Sequence, residues 1–242
     1  MERKDHAHTL ERWALEGKEG TPPVLAATVI LLRDGQDGVE TLMLRRNSKI
    51  VFGGMWVFPG GRLDPEDWHG VPDGDELEAS RRAAEREALE ECGLAVEASS
   101  MVPFSHWTPP PVTPKRFLTW YFAARARRGE VAIYDGEIKE SVWLSPVEAL
   151  RRQSLKEIEL APPTYVTLSD LASYESVDHA LDRIAARTPE RFATRIGVQE
   201  GLGPIAMWHG DAGYEVGDAA AEGARHRLTM SKSGPWQYDR TD

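Results

Sequence analysis

The sequence predicts an α/β fold, in which strands and helices form one domain that carries a C-terminal extension. Apolar, β-branched runs bounded by turn residues, such as residues 24–32, indicate strands. Helical periodicity over residues 75–92, with a cap at each end, indicates a long amphipathic helix. The length of 242 residues is sufficient to bury a core without disulfides or metal ions as staples.

The composition narrows the classes of partner. The formal net charge of −10 opposes contact with a phosphate backbone, so we expect no nucleic-acid partner. No apolar run approaches the ~18 residues of a membrane span, and the charged N-terminus lacks the apolar segment of a secretory signal. The single cysteine, Cys92, excludes intramolecular disulfides, and the C-terminus lacks a peroxisomal address. We therefore expect a cytoplasmic protein with no membrane partner.

The first third of the chain is predicted to be a lead-in followed by strands. Residues 1–22 are polar and end in prolines, which indicates a short frayed or helical segment. Strands are predicted over 24–32 and 39–44, and the turn residues at 34–38 predict a hairpin between them. A loop over 47–54, a short strand over 55–58 and a loop over 62–74 follow.

The helix over 75–92 has a signal at each end. Asp75 is a suitable N-cap, and Glu78 three residues later completes a capping box. Gly93 is placed to end the helix in the left-handed conformation. Small and apolar residues recur at helical spacing and predict the buried face: Leu77, Ala84, Ala88 and Cys92.

The bounds of the remaining elements are predicted from prolines and glycines, which interrupt helices and strands. Strands are predicted over 94–103, 115–124 and 138–144, and helices from Pro146, over 163–173 and over 176–187. The glycine-rich tail from about residue 195 contains a candidate β-hairpin around residues 231–235. We expect a domain over 23–190, with 191–242 as an extension that packs on it or forms a homodimer contact.

The candidate chemistry lies on the long helix. Glu87, Glu90 and Glu91 stand at i, i+3 and i+4, so their carboxylates project from one face. A solvated acidic face is the ordinary reading of such a helix, but oxygen ligands at this spacing also suit Mg²⁺. Arg86 is placed to orient a carboxylate, and Glu78, a little over two turns earlier, is expected to pair with it. The turn of residues 58–61 (FPGG) lets a main-chain carbonyl approach a metal ion closely.

These residues resemble the signature of the Nudix hydrolases, which is a Gly, then a Glu six residues later, followed by Arg-Glu, Glu-Glu and Gly at fixed steps. Residues 78–94 match it throughout, whereas Pro72 stands where the first Gly belongs, so Gly60 and Gly61 are taken as its equivalent before an insertion. The resemblance implies an α/β/α sandwich around a mixed sheet. It also implies Mg²⁺- or Mn²⁺-dependent hydrolysis of a nucleoside diphosphate derivative. The implied metal ligands are the Gly60 carbonyl, Glu87, Glu90 and Glu91, with Arg86 and Glu78 organising the helix.

The resemblance extends over about residues 24–175, where the chain is similar to the long-insertion coenzyme A diphosphatases and their bacterial relatives. It is carried by segments 42–46 (LMLRR), 56–64 (WVFPGGRLD), 105–110 (SHWTPP), 115–117 (KRF), 119–122 (TWYF) and 161–164 (APPT). Coenzyme A or acyl-coenzyme A is the implied substrate. ADP-ribose or a dinucleotide is the alternative within the same chemistry. A non-catalytic ligand sensor and an RNA-decapping enzyme are disfavoured, since residues 161–242 hold 8 Lys or Arg against 12 Asp or Glu.

Further site residues are predicted by chemical type. The general base is a glutamate of the helix or one of two later acids, Glu137 and Glu140. Substrate contacts are expected from basic residues and from an aromatic ring: Arg45, Arg46, Arg62, Lys115, Arg116 and Tyr121. Trp107 and Trp120 are alternative stacking residues that are equally well explained as core. His106 and His209 are interpreted as structural, since lone histidines more often are.

Overall fold

The computed structural model describes residues 6–36, 38–47, 53–127, 129–133 and 136–241. The helices are α1 (His6–Glu16), α2 (Glu76–Cys92), α3 (Pro146–Ser154), α4 (Pro162–Leu171) and α5 (Val177–Ala185). The strands are β1 (Val24–Gly35), β2 (Gly38–Arg46), β3 (Trp56–Val57), β4 (Gly60–Arg62), β5 (Val102–Thr108), β6 (Phe117–Arg125), β7 (Ile138–Leu144), β8 (Glu190–Ala193), β9 (Arg195–Gln199), β10 (Gly203–Met207), β11 (His226–Thr229) and β12 (Gln237–Arg240). Of the predicted loops, Asp37 and residues 48–52 lie outside the described residues.

Eight strands form the main sheet, which is mixed as the resemblance implied. Its order is β3-β2-β1-β6-β5-β8, with β4 also beside β1 and β7 beside β2. The pairs β1–β6 and β5–β8 are parallel, whereas β1 pairs with β2 in the predicted antiparallel hairpin. Strands β4 and β6 lie on opposite sides of β1.

Helices cover both faces of this sheet, which confirms the α/β/α sandwich. On one face, a stripe of small residues on α2 packs against the side chains of β1 that point toward the helix. Ala84 and Ala88 are fully buried in the same core as Val29. On the other face, α3, α4 and α5 contribute Ala149, Leu168 and Ile184 to a second core. Side chains of successive strand residues alternate between these two cores.

The two predicted ends of α2 are confirmed, but the capping box is only half formed. Asp75 accepts a hydrogen bond from the Glu78 N–H at 3.0 Å, and Gly93 has a φ of 69°. The Asp75 N–H, however, donates to the Pro72 carbonyl at 3.0 Å rather than to the Glu78 side chain. The Glu78 carboxylate instead contacts arginines one turn further along α2.

One strand prediction requires correction, and one strand was not predicted. The strand predicted over 94–103 begins only at Val102 and runs to Thr108. Residues 94–101 are a loop with a 3-10 turn at Ala98–Ser100, because the apolar residues that resembled a strand pack under α2 instead: Leu94, Val96 and Met101. Residues of the predicted loops form the short strand β4 and a 3-10 turn at Pro65–Trp68.

The tail is ordered and packs on the domain. Strands β9 to β12 form a second, antiparallel sheet, and the predicted hairpin is β11–β12. Strand β8 joins the main sheet and crosses the expected boundary between residues 190 and 191. Helix α1, within the predicted lead-in, packs against this second sheet, and Glu11 contacts Lys232 at 2.7 Å. Across the described ranges, every helix is too short or too polar to traverse a bilayer.

Candidate active site

The acidic triplet of α2 (Glu87, Glu90 and Glu91) lies beside β4. The Gly60 N–H donates to Glu91 Oε2 at 2.9 Å. A Cβ atom at Gly61 would lie 2.1 Å from Glu87 Oε1, so the Glu87 carboxylate can hold this position only beside a glycine. The Glu91 side chain is buried and Glu87 is largely buried, whereas Glu90 faces solvent. The predicted turn thus contacts the predicted carboxylates.

Arg86 connects the triplet to the loop before α2. Its Nη1 donates to Glu87 Oε1 at 2.9 Å and to Glu90 Oε2 at 3.1 Å. Its Nη2 donates to the Arg62 carbonyl at 2.9 Å and to Asp67 Oδ2 at 3.0 Å, and its Nε donates to Asp67 Oδ1 at 3.2 Å. The orienting role predicted for Arg86 is therefore compatible with its contacts.

The predicted pair of Glu78 with Arg86 is wrong. Glu78 contacts Arg81 at 3.5 Å and Arg82 at 3.7 Å. Eight residues of helix separate Glu78 from Arg86 by roughly 12 Å along the axis, which is too far for direct contact. Asp67 takes the place expected for Glu78, and sequence reasoning missed it because its surroundings, Asp64-Pro65-Glu66, indicate only a local turn.

Burial dominates the electrostatics of the carboxylates. Burial raises the pKa of Glu91 to about 7, although the Gly60 N–H and the charge of Arg46 oppose it and Glu87 and Glu137 add to it. Burial also raises the pKa of Glu87, against the opposing effect of Arg86. Neighbouring carboxylates in a partly buried site are stabilised in their charged form by a cation.

The donor set fits a hard divalent cation. The side chains of the triplet offer only carboxylate oxygens, which are the ligands that Mg²⁺ and Mn²⁺ prefer. A positive group, the Arg86 guanidinium, already bridges the carboxylates of Glu87 and Glu90. Within the part of the chain that the structure describes, no three His, Cys, Asp or Glu side chains are already arranged with the geometry of a metal-binding site.

The two candidate bases lie on different faces of the sheet. Leu44 of β2 faces the core under α2 and Met43 faces the other core, so alternation places Arg46 on the α2 side and Arg45 on the opposite side. Arg46 bonds Glu137, and Arg45 bonds Glu140 at 2.9 Å. Both members of the first pair act electrostatically on Glu91.

The other predicted substrate residues are dispersed. Lys115 is exposed ahead of β6, and the Arg116 Nη2 donates to the Pro109 carbonyl at 3.4 Å. The Arg62 side chain is exposed. Tyr121 is buried in the core opposite α2, 6.3 Å from the ring of Phe58, so we leave it out of the proposed site.

The remaining aromatic and cysteine predictions, and that for His106, have structural explanations. The Trp107 ring stacks on Phe192 at 3.9 Å, and Trp120 donates to Glu76 Oε1 at 3.0 Å. His106 is buried, 4.8 Å from the Trp120 ring. Cys92 is fully buried in the core under α2, as predicted. The His209 side chain is exposed, with its ring 6.5 Å from that of Tyr214, and its interpretation as structural stays a prediction.

Comparisons with known proteins agree with this geometry. The family model described as NUDIX domain matches residues 22–166, which is more than half of the chain. No curated protein matches the chain. A NUDIX hydrolase from Alicyclobacillus acidocaldarius superposes with a TM-score of 0.63 at 22% identity, covering 69% of this chain and 99% of that one. This likeness is one of fold.

Two further solved structures are similar at lower TM-scores. The NUDIX domain of Shewanella oneidensis NrtR, complexed with ADP ribose, has a TM-score of 0.47 at 15% identity and covers 69% of this chain and 95% of that one. A MutT NUDIX hydrolase from Burkholderia pseudomallei has a TM-score of 0.45 at 20% identity and covers 62% of this chain and 98% of that one.

Proposed function

The chain belongs to the Nudix family of hydrolases, and from this premise we propose that it cleaves the pyrophosphate of a nucleoside diphosphate derivative with Mg²⁺ or Mn²⁺. One observation carries the proposal. The carboxylates of Glu87 and Glu91 converge on the double glycine of β4, and the Arg86 guanidinium bridges Glu87 and Glu90.

The metal ions would be held by the acidic triplet and the Gly60 carbonyl. When bound, they supply positive charge that offsets the charge on the pyrophosphate and on the attacking water. Arg86 orients Glu87 and Glu90 through its two Nη1 hydrogen bonds. The β4 backbone holds Glu91 in place through the Gly60 N–H. Water adds to one phosphorus as the bond to the bridging oxygen breaks, and the general base takes the proton that the water loses.

We assign the role of general base to Glu137 rather than Glu140. Glu137 lies on the side of the sheet that carries the triplet, where its charge acts on Glu87 and Glu91. Arg46 holds it through a hydrogen bond and adds positive charge on the same side, which favours an anionic substrate there. Glu140 and Arg45 pair on the opposite face and support the sheet edge instead.

Coenzyme A or an acyl-coenzyme A is the substrate that we propose first. The support is the sequence resemblance of segments 42–46, 56–64 and 105–110, which flank the triplet. The products would be adenosine 3′,5′-bisphosphate and a phosphopantetheine species. The roles of Lys115 and Arg116, which precede β6, as phosphate contacts stay predictions. The cytoplasmic location and the homodimer stay predictions.

A substrate panel read by mass spectrometry tests this proposal. The protein with Mg²⁺ or Mn²⁺ is mixed separately with coenzyme A, an acyl-coenzyme A, ADP-ribose, NADH and a capped RNA. Glu90→Gln removes one proposed ligand, and we expect it to lower turnover by at least about 100-fold. Glu85→Gln makes the same change on α2 outside the triplet and is the matched control.

The possible results separate the levels of the proposal. Adenosine 3′,5′-bisphosphate released from coenzyme A, and lost in Glu90→Gln alone, supports both the site and the substrate. Cleavage of ADP-ribose or NADH alone keeps the site and overturns the coenzyme A assignment. A protein that binds one of these compounds tightly and cleaves none is a ligand sensor, and the proposed reaction is then wrong.

A further inference from the structure

The loop that precedes α2 is longer than the family pattern and brings in a carboxylate from outside the signature. The step from Gly61 to Glu78 spans 17 residues, where the pattern has six. This insertion contains the 3-10 turn Pro65–Trp68, whose third residue is Asp67. Asp67 is 5% exposed, which is unusual for a carboxylate unless it is paired.

Asp67 forms a two-pronged contact with Arg86. Its Oδ1 accepts from Nε at 3.2 Å, and its Oδ2 accepts from Nη2 at 3.0 Å. The Asp64 N–H donates to the same Oδ2 at 2.8 Å and fixes the carboxylate from the other side. Two parallel N–H···O bonds define the plane of the guanidinium as well as its position.

The second half of the same guanidinium faces the acidic triplet. Arg86 Nη1 donates to Glu87 and Glu90, so one positive charge is hydrogen-bonded to three carboxylates, and Asp64 Oδ2 lies 3.7 Å from Nη2. Asp67 is the partner that holds the guanidinium by two hydrogen bonds, so without its charge more of the positive charge would be neutralised by Glu87 and Glu90. The positive charge of Arg86 would then compete directly with a divalent cation for the same oxygens.

We propose that Asp67 is a positioning residue that anchors Arg86 and thereby keeps Glu87 and Glu90 available to a divalent cation. The inference rests on the proposed function, since it concerns the same site. It also assigns a role to the insertion, which replaces the expected contact between Glu78 and Arg86 with one from the preceding loop.

Mn²⁺ binding measured by electron paramagnetic resonance tests the role of Asp67 without turnover. We expect Asp67→Asn to weaken Mn²⁺ affinity by about tenfold or more, which is typical of residues that orient metal ligands. Glu66→Gln removes the same charge from an exposed side chain in the same turn and should change affinity less than about twofold. Thermal unfolding is recorded for each variant.

A double-mutant cycle tests whether Asp67 acts through Arg86. In an Arg86→Gln background, Asp67→Asn should add less than about a twofold effect on Mn²⁺ affinity, because its partner is absent. An equal effect in both backgrounds overturns the proposal. So does a variant that loses thermal stability while keeping wild-type Mn²⁺ affinity, since Asp67 would then be structural only.

Two further results remain decisive. If Asp67→Asn does not fold, Asp67→Glu keeps the charge but displaces the carboxylate, and unchanged Mn²⁺ affinity in that variant overturns the proposal. If the wild type binds Mn²⁺ but hydrolyses none of the compounds in the substrate panel, the proposed function is wrong. The Mn²⁺ titrations of the variants then still test the positioning role of Asp67. A wild type that binds no Mn²⁺ overturns the positioning role itself.

Discussion

The two glycines of β4 serve different purposes, although they are neighbours. A Cβ at Gly60 would lie 2.4 Å from the Ala27 carbonyl oxygen, which belongs to the paired backbone of β1. A Cβ at Gly61 would lie 2.1 Å from Glu87 Oε1, which is the end of a flexible side chain. Glycine at position 60 is therefore needed for the pairing of β4 with β1, whereas glycine at position 61 is needed for the position of the Glu87 carboxylate.

We expect Gly61→Ala to separate activity from stability. The Glu87 carboxylate can move aside at little cost, so the melting temperature should change by only a few degrees. The same movement misplaces a proposed ligand, and hydrolysis should fall by about 100-fold. Gly234→Ala, where a Cβ would make ordinary contacts, is the control for the loss of a glycine.

Gly60→Ala should behave in the opposite way. The added Cβ would collide with the backbone of β1, so the strand must shift. We therefore expect the melting temperature of Gly60→Ala to lie clearly below that of Gly61→Ala. Equal melting temperatures for the two variants would contradict this reading of β4.

At the residue scale, the sequence predicted the triplet because helical spacing fixes which side chains share a face. It did not predict Asp67, since the contact between Asp67 and Arg86 joins residues 19 apart through an insertion of irregular backbone. Strand alternation would have separated Arg45 from Arg46, but only with the inward face of β2 already known.

Among the elements, α2 determines where the triplet lies, and its first turn has a testable cap. Asp75 Oδ1 accepts from the Glu78 N–H at 3.0 Å and satisfies one of the free donors at the helix start. Asp75→Ala should lower the free energy of unfolding by about 1 kcal/mol, measured by urea denaturation. Asp73→Ala removes an exposed aspartate two residues earlier and should change it by less than about 0.5 kcal/mol. Similar losses in both variants would argue against the cap.

Elements with a clear sequence pattern were predictable, including the two-residue strand β3, which lies within the short strand predicted over 55–58. The prediction for β7 matched the observed bounds, and both ends of α2 followed from Asp75 and Gly93. Strand β4 was missed because its sequence, Gly-Gly-Arg, has no strand propensity and is extended only by pairing with β1. Residues 94–101 alternate like a strand, but their apolar side chains fill the space beneath α2.

On the scale of the whole molecule, the tail is tied to the domain by aromatic packing. Phe192 of β8 stacks on Trp107 of β5, and Trp208, which is fully buried, meets Trp107 edge-on at 5.7 Å between ring centroids. The Trp208 Nε1 donates to Thr194 Oγ1 at 3.0 Å, so the indole is satisfied as well as packed. The second sheet therefore shares the core on the face of the main sheet opposite α2.

A buried ion pair holds the second sheet together and makes its stability depend on pH. Asp211 contacts Arg227 through bonds of 2.6 and 2.7 Å, and their side chains are 0% and 6% exposed. Burial alone would raise the pKa of Asp211, but Arg227 and the N–H groups of His226 and Gly213 lower it to about 2. Asp211→Asn leaves the Arg227 charge buried and unpaired, and should cost about 3 kcal/mol or more at pH 7.

The pH dependence of that cost has a definite sign. A carboxyl group with a lowered pKa stabilises the fold fully above its ordinary value of 3.8 and ceases to do so as the pH falls through about 2. The difference in unfolding free energy between wild type and Asp211→Asn should therefore be constant from pH 7 to about 5 and shrink between pH 4 and 2. Urea denaturation across this range measures it, with Asp182→Asn, on the exposed side of α5, as control. A difference that persists unchanged at pH 2 would show that the carboxylate charge of Asp211 does not stabilise the second sheet.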